Sequence, residues 1–393
     1  MNGAFHTGTY SNVFKELGKS EAEIESRLNE VFEEIFFGGE KIYFINESGD
    51  MGYVMDTGNN DVRTEGMSYA MMVFVQMNRK EDFDRIWKWA RTYMYIKEGW
   101  NKGYFYWSML PCGGKNSDGP APDGEEFFAM ALLFACARWG DGEGIFNYSH
   151  EARELLRECI HKGENHPDCI ANPPGPQPMW NPGNKLIKFI TGLEMTDPSY
   201  HLPHFYELFA LKSYEEDRGF WKAAAAASRE YLKTACHPVT GLAPEYSYYD
   251  GTPYAERNNP DKSEHPGHDT FFSDAYRVAM NIALDHEWFA PDEWNRETAD
   301  RIQKFFMEAA IGSCTKDKVY KTDGTVIDFP ALHPVGLLAA NATASLAARG
   351  EQRLTFAERF WNTPPRKGQR RYYDNFLYIF AFLALGGNYK IYI

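Results

Sequence analysis

Two kinds of helical pattern take turns along the chain. In 20–37, 80–97, 149–162, 219–236, 291–311 and 351–361, apolar residues recur at helical spacing along one side while charged residues fill the other; Ile24, Leu28, Val31, Phe32 and Ile35 trace such a stripe. In 64–77, 124–139, 200–214, 272–285, 334–349 and 369–386 the apolar residues run around most of the circumference once the first turn is passed, as in a helix buried on all sides. The first set predicts outer helices and the second inner ones. Their regular alternation predicts an all-α fold, an (α/α)6 barrel of six inner and six outer helices, spanning 1–393 as a single domain.

Antiparallel pairing of neighbours brings the N-termini of the inner helices, with their unpaired N–H groups, to one end of such a barrel. The loops leading into them are long, at 98–123, 163–199, 237–271 and 312–333, and rich in Gly, Pro, Trp and Tyr. Within the third, APEYSYYDGTPYAER reads as a β-hairpin turning at Asp250-Gly251. Long loops gathered on a rigid frame are where function is expected.

Three carboxyl groups stand at those entrances. Glu65 opens the apolar helix of RTEGMSYAMM, Asp123 precedes the second in GPAPDGEEFF, and Asp274 begins the fourth in FFSDAYR, with Ser273 as an N-cap. Capping and the helix dipole account for any one such residue. Three converging on one cavity beside aromatic loops point instead to glycoside hydrolysis, which needs an acid for the departing oxygen and a carboxylate for water or the sugar. A helix N-terminus lowers a carboxyl pKa and suits a base, so the acid must be raised by burial or a nearby anion. Glu65, with Asp123 near it, is assigned as acid; Asp274, with Arg277 one turn on, as base.

The charge of -14 and pI near 5.3 argue against a nucleic-acid partner or an anionic membrane surface, both of which reward clustered Lys and Arg. A neutral substrate fits better, and a few of the 10 Trp, 24 Tyr and 28 Phe suffice to stack on sugar rings. No segment approaches the roughly 20 apolar residues that span a bilayer, and MNGAFHTGTYSNVF has no basic region followed by an apolar run. A cytoplasmic protein, compatible with a monomer, is expected. Six cysteines, Cys112, Cys136, Cys159, Cys169, Cys236 and Cys314, lack metal-ligand spacing and read as reduced structural thiols. HPGHD, with His265, His268 and Asp269, reads as a solvated loop lacking a third ligand. No metal or cofactor is expected.

RTEGMSYAMM, APDGEEFFAMALL, DPSYHLPHFY, FSDAYRVAMN and RYYDNFLYIFAF, in this order over nearly the whole chain, resemble glycoside hydrolase family 8, and within it the branch that releases xylose from the reducing end of xylo-oligosaccharides. The resemblance implies an (α/α)6 barrel and an inverting displacement, for which the acid and base carboxyls stand roughly 6.5 to 9.5 Å apart. It implies Glu65 as general acid, Asp274 as general base, and Asp123 as the carboxylate that holds and distorts the sugar on the non-reducing side of the cut. Tyr200 resembles the tyrosine that places the attacking water and Arg277 the arginine that orients the base. Trp107 of FYWSM resembles the stacking tryptophan, and Tyr373 of RYYDN is a further candidate for binding substrate. The broad family usually has Ser or Thr before the third carboxylate and Asp two after it; Pro122 and Glu125 depart from this and match the exo-acting branch. His333 of FPALHPVGLL matches the loop histidine that closes that branch's site beyond the first reducing-side sugar. An endo-acting xylanase is the alternative within the family. Sugar epimerases share the toroid but use histidine pairs, and a non-catalytic sugar-binding protein has no use for three convergent carboxyls.

Overall fold

The computed structural model describes residues 2–164, 175–256, 265–308 and 318–393; Cys169 and Cys314 lie outside them. Two single-turn helices, Ala4–Thr7 and Val13–Glu16, precede twelve longer ones. These are α1 (Glu21–Phe37), α2 (Thr64–Gln76), α3 (Lys80–Trp89), α4 (Pro122–Trp139), α5 (Tyr148–His161), α6 (Pro203–Lys212), α7 (Arg218–Ala235), α8 (Arg277–Phe289), α9 (Trp294–Glu308), α10 (Pro334–Thr343), α11 (Arg353–Trp361) and α12 (Arg371–Leu385). Odd-numbered helices carry the charged amphipathic patterns and even-numbered ones the apolar patterns, in the predicted alternation. The strands are short: β1 (Tyr43–Ile45), β2 (Gly52–Val54), β3 (Val62–Arg63), β4 (Ser108–Met109), β5 (Thr270–Phe271), β6 (Val319–Lys321) and β7 (Val326–Ile327).

The chain forms two compact units interleaved in sequence. One comprises Lys41–Glu194, Phe205–Ala227 and Ile391–Ile393. In it α2 packs chiefly on α4, and α4 on α5. Every residue of α2 is buried except Glu65. Since full burial of a large apolar side chain stabilises by about 1.5–3 kcal/mol, the apolar run fixes α2 in place and leaves Glu65 as its one partly exposed group. Two antiparallel pairs, β1–β2 and β3–β4, flank these helices in sequence.

The other unit comprises Met1–Glu40, Met195–His204 and Ser228–Lys390. Helix α1 opens with a capping box, Ser20 and Glu23 each accepting from the other's backbone N–H. Helix α12, buried from Tyr372 to Leu385, packs chiefly on α10. A Cβ on Gly336 of α10 would lie 2.9 Å from Leu377 Cδ1 and 3.5 Å from Asp374 Cα, so the two helices are in close contact there. Strands β5, β6 and β7 form one antiparallel sheet, in which YKTDGT turns β6 into β7 with Thr325 N–H donating to Asp323 Oδ1 at 2.8 Å. The hairpin predicted at Asp250-Gly251 is present: Tyr248 N–H donates to Thr252 O at 2.9 Å and Tyr254 N–H to Tyr246 O at 2.9 Å.

Two inner helices begin differently from expectation. Leu202 precedes a proline, which disfavours helical backbone there, so a 3-10 turn at Pro198–Tyr200 is separated from α6. The fourth inner segment also starts as a 3-10 turn, Ser273–Tyr276, before α8. Ser273 is not its N-cap. It lies inside the turn at φ +39°, and the turn has no side-chain cap.

Candidate active site

Glu65 and Asp123 stand in the first turns of α2 and α4, and a glycine brings those turns together. A Cβ on Gly124 would lie 2.4 Å from Thr64 Cβ and 2.5 Å from Thr64 Oγ1, so only glycine permits this approach. Pro122 occupies the first turn of α4, where its missing N–H costs nothing. Asp123 is buried at 5% exposure.

The segment carrying Trp107 is tied to both helix starts. Thr64 N–H, an orphan donor at the entrance of α2, donates to Trp107 O at 3.0 Å, and Phe105 N–H donates to Glu125 Oε1 at 2.9 Å. Strand β4 pairs with β3, and Ser108 Oγ donates to Asp61 Oδ2 at 2.7 Å. Trp107 itself is 38% exposed, with the Arg63 guanidinium 5.4 Å from its ring centre. Burial pushes the Glu125 carboxyl well above the usual carboxylate range, against the opposing Phe105 N–H and with added repulsion from Asp123. Through the Phe105 N–H, Glu125 ties the segment that carries Trp107 to the first turn of α4.

In the other unit, Arg277 stands between two carboxyls. Its Nη2 is 3.5 Å from Asp274 Oδ1 and 3.8 Å from Asp197 Oδ2. Asp274 is partly exposed and Asp197 fully buried. The guanidinium also faces the rings of Tyr200 and Tyr373, at 5.6 and 5.8 Å. Tyr373 Oη donates to Ser273 O at 3.1 Å, holding the left-handed residue just before Asp274. Asn281 Nδ2 donates to Ser199 O at 2.8 Å, which ties the Tyr200 turn to α8. His333 precedes α10, its Nδ1 3.0 Å from Asp374 Oδ2 and its ring 4.8 Å from that of Tyr373.

Asp197 escaped sequence reasoning because Asp-Pro-Ser reads as an ordinary cap, and it does accept from Ser199 N–H at 2.7 Å. Burial pushes its carboxyl well above the usual range; Arg277 opposes this and Asp274 adds to it. Asp374 and Arg366 were also missed: Arg366 donates to Asp374 and to Leu332 O, and Gly336 N–H donates to Asp374 Oδ1 at 2.7 Å. His204, the histidine nearest an epimerase reading, is buried against Trp288 and pushed down to about 3 by burial, as a structural imidazole would be. The HPGHD histidines are not simply solvated: Glu245, from a distant segment, contacts both His265 and His268.

No helix among the described residues is long and apolar enough to cross a membrane. A family model, glycosyl hydrolases family 8, matches residues 39–387. The chain is 56% identical over 392 residues to a reducing end xylose-releasing exo-oligoxylanase of Halalkalibacterium halodurans, covering 99% of this chain and 96% of that protein. It is 53% identical over 392 residues to a reducing-end xylose-releasing exo-oligoxylanase of Paenibacillus barcinonensis, covering 99% and 98%. The solved structure of the Paenibacillus barcinonensis protein complexed with xylose matches with a TM-score of 0.93 at 53% identity, over 100% of both chains. The fold class is all-α, the (α/α)6 barrel that the helix alternation predicts. On the match of the family model and these near-full-length identities, the chain belongs to glycosyl hydrolases family 8.

Proposed function

We propose that the chain is an inverting glycoside hydrolase that releases xylose from the reducing end of β-1,4-xylo-oligosaccharides, acting as one catalytic domain. The observation that carries this reading is the 56% identity to an enzyme of that activity across almost the whole of both chains. The local geometry supports the roles of individual residues.

Glu65, the one partly exposed group on a buried helix, donates its proton to the glycosidic oxygen as the reducing-end xylose departs. Asp274, held as an acceptor by Arg277, takes a proton from the water whose oxygen bonds to the anomeric carbon. The two proton transfers are concerted with cleavage, and the acid and base are restored by exchange with solvent. Tyr200 positions that water, Asp123 holds the sugar on the non-reducing side, and Trp107 and Tyr373 line the binding site. His333 accepts a hydrogen bond from the anomeric hydroxyl of the departing xylose and ends the site there. The free thiols of Cys112, Cys136, Cys159 and Cys236 support a reducing, cytoplasmic setting.

Incubation with xylotriose tests the proposal. Xylose and xylobiose are the expected products, with polymeric xylan a poor substrate. Release of mainly xylobiose and longer fragments from xylan, at rates above those on xylotriose, would establish endo attack instead.

A further inference from the structure

The carboxylate of Glu245 is buried at 4% exposure and faces two imidazoles. Its Oε2 lies 2.5 Å from His268 Nδ1 and 3.1 Å from His265 Nε2. One potential ligand atom from each of the three residues lies within 4.8 Å of the others. A tetrahedral ion with bonds of about 2.0–2.1 Å holds its ligand atoms about 3.3 Å apart, so these groups need only small adjustments to share one ion.

We propose that Glu245, His265 and His268 form a binding site for a borderline divalent transition-metal cation, with Zn2+ as its preferred occupant. Two imidazoles and one carboxylate suit Zn2+, whereas Ca2+ and Mg2+ call for oxygen donors throughout. The rings are oriented by their surroundings: His268 stacks on Tyr246 at 4.3 Å, and His265 meets Phe272 edge-on at 5.1 Å. Both side chains are partly exposed, at 22% and 29%, which leaves water access to a fourth ligand position.

Binding through His268 Nδ1 and His265 Nε2 leaves each neutral ring one hydrogen, now on its other nitrogen. On His265 this opens the 3.1 Å hydrogen bond that Gly267 N–H donates to Nδ1. The ion then replaces two hydrogen bonds to Glu245 with three coordinate bonds. Its effect is mechanical. Glu245 and Tyr246 already pair by backbone with Thr270 and His268, and the segment from His265 runs through β5 to Ser273 and Asp274. The ion pins the Asp250-Gly251 hairpin to the strand that delivers the candidate base.

The test uses the full chain, stripped with a chelator and then loaded with Zn2+ alone or Co2+ alone. After dialysis the wild type should retain one Zn2+ per chain, show an upward Tm shift of roughly 2 °C or more, and give the visible absorption of four-coordinate Co2+. Glu245→Gln and His268→Ala should each weaken retention at least 10-fold; His265→Asn repeats the test if either fails to fold. His161→Ala is the control, because His161 also lies between carboxylates, 2.6 Å from Asp217 and 2.8 Å from Glu164. Loss of the ion in the control but not in the three variants would overturn the assignment, as would retention of less than one ion per wild-type chain.

Discussion

His333 Nδ1 lies 3.0 Å from Oδ2 of Asp374, a carboxyl buried in the first turn of α12. Arg366 and the Gly336 N–H also donate to that carboxyl, so it serves as an acceptor and Nδ1 carries the imidazole hydrogen. With Nδ1 donating there, Nε2 is the nitrogen left to accept, suited to a hydroxyl that donates. A methyl glycoside has no such hydrogen. A site that leaves a buried polar group unpaired rejects the analogue more strongly than one that merely excludes bulk.

His333→Ala is therefore expected to lower kcat/KM on xylotriose about 5- to 150-fold, the range for leaving a buried polar partner unpaired at about 1–3 kcal/mol, and to narrow the gap between xylotriose and methyl β-xylotrioside. Asp374→Asn should move both quantities the same way, because the amide can donate to Nδ1 and leave Nε2 carrying the hydrogen. Wild-type hydrolysis of the capped and free trioses at equal rates would contradict this account.

Acid and base are separable by leaving group. Glu65→Ala should nearly abolish xylotriose hydrolysis while partly sparing xylobiosyl fluoride, whose departing fluoride needs little protonation. Asp274→Ala should lose both. On the wild type, proton NMR should show the α-anomer at the new reducing end of the xylobiose first formed; the β-anomer there would exclude inversion.

Gly124→Ala tests the contact between the two helix starts that carry Glu65 and Asp123. The new methyl would sit 2.4 Å from Thr64 Cβ, and overpacking of this kind typically costs about 1–3 kcal/mol. Denaturant unfolding should show the loss and kcat should fall with it, since the first turns of α2 and α4 must part. Unchanged stability and kcat would remove the glycine from the account.

Burial pushes His201 and His204 down to about 3 from an ordinary 6.5. Between those values the unfolded chain binds protons that the folded chain refuses. The contribution of these residues is thus fully present above about pH 6.5 and is lost as pH falls toward 3, with an upper bound of roughly 4–5 kcal/mol each. Tm measured against pH should fall less steeply below pH 6.5 for His204→Phe than for the wild type; identical slopes would contradict the assignment.

The helix alternation was legible because burial imposes a local period: α1 shows a stripe and α12 an apolar surround whatever their neighbours are. Glu65 was legible for the same reason, as a charge where the pattern forbids one. Features set by distant partners were not. Ser273 looks like a cap in sequence, yet it takes a left-handed turn held by Tyr373 from α12. Asp197 looks like a cap and is one, but its approach to Arg277 depends on folding. Asp374 passed as part of an apolar run because its partners, Arg366 and His333, come from separate segments. Glu245 was unreadable as a partner of HPGHD because the hairpin that carries it must first fold back on β5.

The other roles depend on cleavage removing the sugar at the reducing end. Xylotetraose carrying a 13C label at C1 of its reducing-end residue tests this directly, with products separated and weighed by mass spectrometry at early times. Labelled xylose and unlabelled xylotriose are the expected products. Unlabelled xylose with labelled xylotriose would place the attack at the opposite end and contradict the proposed function.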